Sequence, residues 1–387
     1  MVPIRYNYRN LVVRKTTTLA SAFGLALVVF VFSCAQMLGT GLKKAFGRAA
    51  SPDVAIVLRK GSGAEMESGI EEKQVSLVVA QAQQVGASRE PAAVGEIVVV
   101  VLLDKIGTTG LSNVVVRGVT DDVRDFRTSV KIIEGRAPKP GTDEVLVGSG
   151  IRGRFKGLDI GQQFDLKKNR PVKVVGVFSD QGSSFESEIW ADLHTVRTAF
   201  GREGYASSIR VRLDSETKFD AFKLLVESDR QLGLVTMRES TFYEKQGEMT
   251  STLLTWLGTL IAIFFAIGAG IGATITMNAQ VAGRQREIGT LRALGFSRGS
   301  VLLSFLLESL ILAVAGGLVG AVAALGMKFV TLTMLNANTW SEIVFSFEPS
   351  PGIVVRALIL AIFMGLFGGF LPAWRAARVR PVEAMRG

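Results

Sequence analysis

The chain has 387 residues, of which 48% are hydrophobic, and its mean hydropathy of +0.34 excludes an ordinary soluble domain and indicates a membrane protein. The formal charge of +10 is unevenly distributed, because residues 39–252 carry a net +1 and the remainder of the chain carries +9. The excess therefore lies beside the apolar segments, where it reflects membrane orientation and not nucleic-acid binding.

The N-terminal segment is basic and is followed by an apolar run. Residues 1–18 contain four basic residues and no acidic one, with apolar residues at helical spacing, which predicts a cytoplasmic interfacial helix. Residues 19–38 are uncharged and predict the first membrane span. A cleaved signal peptide and a lipoprotein signal ending at Cys34 are the alternatives. Phe32 is bulky where small residues are usual, which favours a retained anchor.

Residues 39–252 have the balanced charge and Gly-rich turns of a water-soluble domain that buries its own core. The predicted order is β-α-β-β, an interruption, and β-α-β, which suggests a ferredoxin-like sandwich with an inserted β-rich lobe at about 121–205. Residues 240–251 predict a helical stalk that continues into the second span. The predicted strands are 54–58, 97–103, 114–119, 209–213 and 234–237, and the predicted helices are 65–85 and 218–231.

Three further apolar segments, 253–277, 301–327 and 354–370, predict membrane spans. The predicted fold is therefore an α+β membrane protein with four transmembrane helices and one large external domain. By the positive-inside rule, the 278–300 loop, both termini and the 371–387 tail are cytoplasmic, whereas the large domain and a short 328–353 loop lie outside. Each of the last three spans has a GxxxG pair that permits close helix packing within the chain or across a dimer: Gly268 and Gly272, Gly316 and Gly320, and Gly365 and Gly369.

The 278–300 loop contains an amphipathic stretch. Ile288, Leu291 and Leu294 fall toward one face of a helix, and charged residues surround them. This pattern predicts a helix lying against the membrane surface. It is either a simple connector or a docking helix for a cytoplasmic partner. The charged residues of the candidate docking site are Arg284, Arg286, Glu287 and Arg292.

Several stretches resemble the MacB/FtsX-like permease family of ABC transporters. They include NLVVRKTTTL before the first span, REIGTLRALG in the middle loop, and PAWRAAR followed by PVEAM in the tail; the external domain adds EGR, DEVL and VVGVF. In the order given, the membrane and cytoplasmic stretches are residues 10–19, 286–295, 372–378 and 381–385, and FLLE at 305–308 follows the middle loop. The three stretches of the external domain are residues 134–136, 143–146 and 174–178.

The resemblance implies a noncatalytic permease subunit in the bacterial inner membrane that acts as a homodimer with a separate cytoplasmic ATPase. That ATPase would bind ATP and magnesium, and residues 286–295 would form the coupling helix seated in it. Arg375, Arg378 and Glu383 would contact the ATPase from the tail. A periplasmic adaptor or outer-membrane partner is also implied, together with an ATPase cycle that moves the external domain.

The sequence has no G-x-x-x-x-G-K-[ST] phosphate loop, so we expect this chain neither to hydrolyse ATP nor to bind a cofactor. The large external domain favours export from the periplasm. The alternatives are a signalling subunit that activates a periplasmic hydrolase, as in FtsX, and a lipoprotein or lipid extractor. A stand-alone receptor is disfavoured, because the cytoplasmic segments hold no signalling domain.

The remaining chemically distinctive residues are few. Glu308 is an acid inside the third predicted span, and it has either a functional role or a structural hydrogen-bonding role. His194 is the only histidine and Cys34 the only cysteine, so neither a His-based nor a Cys-based metal site is expected, nor an intrachain disulfide. No nucleophile, base and orienting residue form a recognisable set in the external domain.

Overall fold

A computed structural model describes residues 15–336 and 339–378. The predicted 1–18 helix and 371–387 tail are therefore described only in part, and Glu383 lies outside the described residues. The helices run as follows: α1 (Lys15–Arg48), α2 (Glu72–Gln84), α3 (Val123–Phe126), α4 (Leu193–Phe200), α5 (Phe219–Ser228), α6 (Glu239–Ala282), α7 (Gln285–Ala293), α8 (Arg298–Gly326) and α9 (Pro351–Ala377).

The strands are β1 (Val54–Arg59), β2 (Ile70–Glu71), β3 (Ala93–Asp104), β4 (Leu111–Val119), β5 (Lys131–Gly135), β6 (Glu144–Gly148), β7 (Gln163–Lys167), β8 (Arg170–Ser179), β9 (Glu188–Asp192), β10 (Tyr205–Ala206), β11 (Ser208–Arg212), β12 (Leu234–Arg238), β13 (Thr331–Leu335) and β14 (Glu342–Ser346).

The chain divides into two compact units. A membrane unit contains Met1–Thr40, Ser251–Val330 and Phe347–Gly387, and an α/β unit contains Gly41–Thr250 and Thr331–Ser346.

Within the described residues, α1, α6, α8 and α9 are the four helices long and apolar enough to cross a membrane. Three predicted spans lie inside α1, α6 and α9, which extend well beyond them, and the predicted 301–327 span ends one residue past α8. The α6 helix is one uninterrupted segment that includes both the predicted stalk and the second span. The α9 helix continues to Ala377, so the first residues of the predicted tail are helical.

Glycines set how closely the membrane helices approach. A Cβ atom on Gly320 would lie 2.3 Å from the carbonyl oxygen of Ala26 in α1, and one on Gly365 would lie 2.5 Å from the Cβ of Ala313 in α8. These two GxxxG pairs therefore pack helices within the chain. The pair in α6, Gly268 and Gly272, has no described neighbour within 4 Å of the corresponding positions.

The sheet of the α/β unit has the strand order β12-β1-β11-β3-β4-β9-β6-β8-β5, and β7 pairs with β8. The first four strands are antiparallel and, with α2 and α5, have the predicted ferredoxin-like order. The strand β3 pairs with β11 through Ala93–Glu96 and with β4 through Ile97–Asp104. The inserted strands therefore extend the same sheet through β3, and the insertion begins at β4, earlier than predicted.

The helix predicted at 65–85 begins later, at Glu72. The residues before it form a 3₁₀ turn at Glu65–Glu67 and the short strand β2, which pairs with β10. A capping box explains the boundary: the backbone N–H of Glu71 donates to Gln74 Oε1 at 2.9 Å, and the Glu71 side chain accepts from the backbone of the same residue, Gln74.

The segment predicted as a short external loop contains the β13–β14 hairpin. The backbone N–H of Val344 in β14 donates to Ser187 Oγ at 2.9 Å, and Val344 joins the core formed by β3, β4, β6, β8 and β9. Glu342 forms an ion pair with Lys105. The hairpin is therefore a part of the α/β unit.

Candidate functional site

The helix α7 occupies the loop that the sequence identifies as a candidate docking site. It begins after Arg284 and ends before a turn at Gly295, whose φ of 93° suits glycine. The N–H of Phe296 donates to the carbonyl of Leu291 at 3.2 Å, and Arg292 Nη1 donates to the carbonyl of Phe296 at 2.9 Å. Hydrogen bonds therefore fix the backbone where α7 ends.

One face of α7 is embedded in the membrane unit. Ile288 is 2% exposed and packs in a cluster that includes Val281 of α6, Phe305 of α8 and Ala373 of α9. The ends of three membrane helices therefore hold α7 from the same side. Burial of an Ile side chain of this kind contributes roughly 1.5–3 kcal/mol.

The remaining apolar positions differ from the prediction. Leu291 is half-buried and lines a small groove with Ile288 and Phe305. Leu294 was predicted on the same face, but its side chain is 72% exposed. Leu294 still belongs to the last turn, because its N–H donates to the carbonyl of Thr290 at 2.9 Å. With 3.6 residues per turn, however, a position six residues after Ile288 lies about 120° away around the helix, which is outside the buried face.

Arg284 and Glu308 form a buried ion pair. Arg284 Nη1 donates to Glu308 Oε2 at 3.0 Å and Nη2 donates to Oε1 at 3.4 Å, and the two side chains are 4% and 2% exposed. Arg284 was predicted to contact the ATPase, but here its guanidinium is turned inward. The intramembrane acid Glu308 therefore has a structural partner on the same chain.

The outer face of α7 is polar. Arg286, Glu287 and Thr290 are exposed, and Arg292 is half-buried. A helix with one face buried among membrane helices and the other face charged is suited to binding a protein. Of the predicted docking residues, Arg286 and Glu287 lie on this outer face, Leu291 and Arg292 lie at its edge, and Arg284 and Ile288 lie inside.

The C-terminal part of α9 lies beside this site. Ala373 and Ala376 belong to the same cluster as Ile288. Arg375 and Arg378 are exposed, and the guanidinium of Arg378 lies 3.8 Å from the centroid of the Trp374 ring. The two predicted tail residues that the structure describes therefore extend from a helix that supports α7.

A second polar cluster, in the α/β unit, is not predicted from the sequence. Arg117 Nη1 and Arg210 Nη1 each donate to Glu96 Oε2 at 2.7 Å. Arg127 Nη2 donates to Glu239 Oε1 at 3.3 Å, and its guanidinium lies over a phenylalanine ring. All members of this buried charge cluster are nearly or fully buried: Glu65, Glu96, Arg117, Arg127, Glu188, Arg210, Glu239 and Tyr243.

Two carboxyl groups of the buried charge cluster, Glu96 and Glu65, have pKa values below their usual range. Burial opposes ionisation of Glu96, but the guanidinium groups of Arg210 and Arg127 outweigh it and hold the pKa of this carboxyl below its usual range. The same balance, with Arg117 as the main partner, lowers the pKa of Glu65. The members come from β3, β4, β9, β11, the 3₁₀ turn at Glu65–Glu67, the residue that follows α3 and the first turns of α6, so the cluster ties both halves of the sheet to that helix.

The sequence also singles out His194 and Cys34. Among the described residues, no group of three His, Cys, Asp or Glu side chains could hold a metal ion. His194 is exposed in the first turn of α4, and Cys34 is half-buried in α1.

Comparisons with known proteins agree with this architecture. A family model described as the MacB-like periplasmic core domain matches residues 16–228, and one described as the FtsX-like permease C-terminal region matches residues 259–381. The macrolide export ATP-binding/permease protein MacB of Burkholderia cenocepacia is 29% identical over 229 residues, which cover 57% of this chain and 32% of that protein.

The uncharacterised ABC transporter permease YknZ of Bacillus subtilis is 28% identical over 225 residues, which cover 56% of this chain and 54% of that protein. The matched region thus spans about a third to a half of the length of these relatives. Among solved structures, the periplasmic region of MacB from Actinobacillus actinomycetemcomitans is similar with a TM-score of 0.37 and 15% identity, covering 51% of this chain and 94% of that chain.

Proposed function

Because the chain belongs to the MacB/FtsX-like family of ABC transporter permeases, we propose that it couples ATP hydrolysis on a separate cytoplasmic ATPase to movement of its α/β unit outside the membrane. In this proposal the protein lies in a bacterial inner membrane with both termini in the cytoplasm. The α/β unit then lies in the periplasm. The mechanical work acts there on a substrate that is exported from the periplasm.

The observation that carries this proposal is the placement of α7. Its inner face is embedded among the ends of α6, α8 and α9, and its outer face is charged and exposed. An ATPase that binds the outer face and moves would displace three membrane helices together, because packed helices shift as bodies and do not deform continuously. The α6 helix is hydrogen-bonded without a break from Glu239 to Ala282, so a displacement at its cytoplasmic end is passed along its length.

The ATPase is proposed as a separate chain because the sequence contains no phosphate loop. The MacB relatives are named ATP-binding/permease proteins, whereas the YknZ relative is named a permease. The matched region covers 32% of the MacB relative and 54% of the YknZ relative. ATP and magnesium would accordingly bind to the partner ATPase.

We further propose that two copies of the chain act together. The outward face of α6 carries Gly268 and Gly272, which have no described neighbour, and exposed apolar side chains such as Phe264 and Ile275. The corresponding glycine pairs of α8 and α9 are filled by neighbouring helices of the same chain. A second copy packed on the α6 face would give Gly268 and Gly272 the close helix contact that the glycine pairs of α8 and α9 have within the chain.

Affinity purification of the chain in mild detergent under nucleotide-trapping conditions tests this function. We expect an ABC ATPase to be recovered in stoichiometric amount, and an external adaptor protein to accompany it. Recovery of a periplasmic hydrolase would instead favour a signalling subunit, and recovery of a different permease would favour a lipid or lipoprotein extractor. Recovery of the chain alone would contradict the coupling role and make α7 a simple connector.

A further inference from the structure

Arg284 is bonded to three helices at once. Its backbone N–H donates to the carbonyl of Val281 at the end of α6, at 3.1 Å, and its carbonyl accepts the N–H of Ile288, at 2.9 Å, as the first i→i−4 hydrogen bond of α7. Its side chain reaches Glu308, which lies about three turns into α8. This one residue therefore lies where α6 ends, α7 begins and α8 passes.

We propose that Arg284 is a positioning residue whose bond to Glu308 makes the end of α6, α7 and α8 move as one body. The proposal rests on the proposed docking of an ATPase on α7 and adds how the force leaves that helix. The C-terminal turn and the apolar cluster around Ile288 also join α7 to α8. With the ion pair, α7 is attached to α8 at both ends.

The chemistry of the pair favours a positioning role. An ion pair this deeply buried gains little net stability, because the desolvation of two charges offsets most of their attraction. A planar guanidinium that donates two bonds to one carboxylate does, however, fix distance and direction together. Apolar contacts such as that between Ile288 and Phe305 have no preferred direction, so they would permit α7 to rotate or slide.

The opposite end of α7 is fixed by local bonds. Arg292 Nη1 donates to the carbonyl of Phe296, and Ser297 Oγ accepts the N–H of Ser300 as the N-cap of α8. The turn between the two helices is thus closed by hydrogen bonds. Together with the Arg284–Glu308 pair, these bonds complete a closed frame of α7, its turn and the first three turns of α8.

This arrangement separates binding from coupling. The Arg284 and Glu308 side chains are buried, so they do not belong to the exposed face that a partner would bind. Loss of the pair should therefore leave the affinity for the ATPase nearly unchanged. It should reduce how much the bound permease stimulates ATP hydrolysis, because α7 could then rotate or slide against α8 and would pass on less of its motion.

The test uses the full chain in lipid nanodiscs with the ABC ATPase that co-purifies with it. Glu308→Gln keeps the shape of the side chain but removes its charge, and the swap Arg284→Glu with Glu308→Arg restores an opposite pair. Arg298→Gln is the matched control, because Arg298 is an exposed arginine at the start of α8. Size-exclusion profiles confirm that each variant is folded.

We expect Glu308→Gln to keep the ATPase affinity within about threefold and to lower the maximal stimulation by about tenfold or more, since removing one member of a buried pair leaves the other uncompensated. The swap should recover much of the stimulation, and Arg298→Gln should match the wild type. Equal loss of affinity and stimulation, or no loss of either, would overturn the positioning role.

A second measurement requires no ATPase. Hydrogen exchange of the α7 amides, residues 285–293, is followed in the full chain alone. The account predicts that Glu308→Gln accelerates this exchange by about tenfold or more, because exchange reports local opening, while the amides of α9 stay protected. Unchanged exchange in α7 would overturn the inference even if the chain bound no ATPase, so a failure of the proposed function and a failure of this inference are distinguishable.

Discussion

Arg117 of β4 and Glu188 of β9 form a two-point ion pair, with Nε–Oε2 at 2.6 Å and Nη2–Oε1 at 2.7 Å. The two strands are parallel neighbours in the sheet, and Arg117 lies opposite Trp190. Through Glu96 the same arginine is linked to Arg210 on β11. The buried charge cluster therefore acts as a polar link between the ferredoxin-like strands and the inserted strands.

Removing one member of this cluster should destabilise the protein strongly. We expect Glu188→Gln to lower the free energy of unfolding by about 3–5 kcal/mol, because it leaves the buried Arg117 undercompensated. Arg170→Gln is the control, since the Arg170–Asp143 pair is about 40% exposed and should be worth less than about 1 kcal/mol. Denaturation of the α/β unit, followed by near-ultraviolet circular dichroism, measures both, and similar losses for the two variants would contradict the role assigned to burial.

The cluster also predicts a pH dependence. The pKa values of Glu65 and Glu96 are held below their usual range in the folded state by the neighbouring arginines, although burial opposes this. Their contribution to stability is therefore fully present above the unfolded pKa of about 4.3 and is lost as the pH falls below it. Because carboxylates titrate near pH 4, we expect these two groups to leave the melting temperature unchanged between about pH 6 and pH 8. When the pH is lowered below about 4, the melting temperature should decrease. Glu96→Gln should lower the melting temperature at neutral pH and weaken the further fall in acid.

Glycines of the membrane unit give a matched pair of substitutions. Gly320→Ala should destabilise the protein by about 1–3 kcal/mol, because its Cβ would lie 2.3 Å from the backbone oxygen of Ala26 and force α1 and α8 apart. Gly24→Ala is the control in α1, where no described atom lies within 4 Å of the added Cβ. Thermal unfolding in detergent compares the two variants. If Gly24→Ala were as damaging as Gly320→Ala, the packing role assigned to the contact between Gly320 and Ala26 would be wrong.

The proposed seam between two copies predicts a crosslink. In a Cys34→Ser background, Gly272→Cys should form an intermolecular disulfide in native membranes, because the α6 faces of the two copies would be in contact. Val319→Cys provides the comparison, since Val319 is 64% exposed on α8 and lies away from the proposed seam. Efficient crosslinking at Val319 with none at Gly272 would place the seam elsewhere.

The docking face of α7 predicts an order of severity. Leu291→Asp should weaken ATPase binding more than reversal of Glu287 or Arg292, because the half-buried Leu291 lies where a carboxylate would lose its hydration. The effect of the charge reversals should diminish at high salt, whereas that of Leu291→Asp should not. Co-purification of the ATPase at two salt concentrations measures both trends, and full binding by Leu291→Asp would remove that face from the interface.

Much of the architecture follows from local sequence patterns. The four membrane helices are indicated by apolar length, and the ferredoxin-like order by strands and helices of ordinary period. The helix at α7 is indicated by its amphipathic spacing. The lateral joining of the inserted strands through β3 is not predictable in this way, because strand pairing across long separations is not encoded in periodicity.

The candidate site was likewise predictable only where the pattern is local. Ile288 was predicted on the apolar face of α7 and is buried, but Leu294 is exposed because six residues carry it about 120° around the helix from Ile288. Arg284 reads as a surface charge in the sequence, and only the approach of Glu308 from another helix explains its burial. The buried charge cluster escaped prediction for a related reason: a charged residue within a strand such as β4 normally indicates its solvent face, whereas here its partners come from distant segments.

The most direct test of the central claim is a distance measurement between two copies during the ATPase cycle. In a Cys34→Ser background, Leu224→Cys places one spin label per chain on α5, where the native side chain is 70% exposed. The permease and its ATPase are reconstituted in nanodiscs, and inter-copy distances are compared without nucleotide and after trapping with ATP, magnesium and vanadate. The account predicts a shift on the order of 5 Å, the scale of one helical turn, that disappears with Leu291→Asp. An unchanged distance distribution in a complex that still hydrolyses ATP would contradict mechanical coupling to the α/β unit.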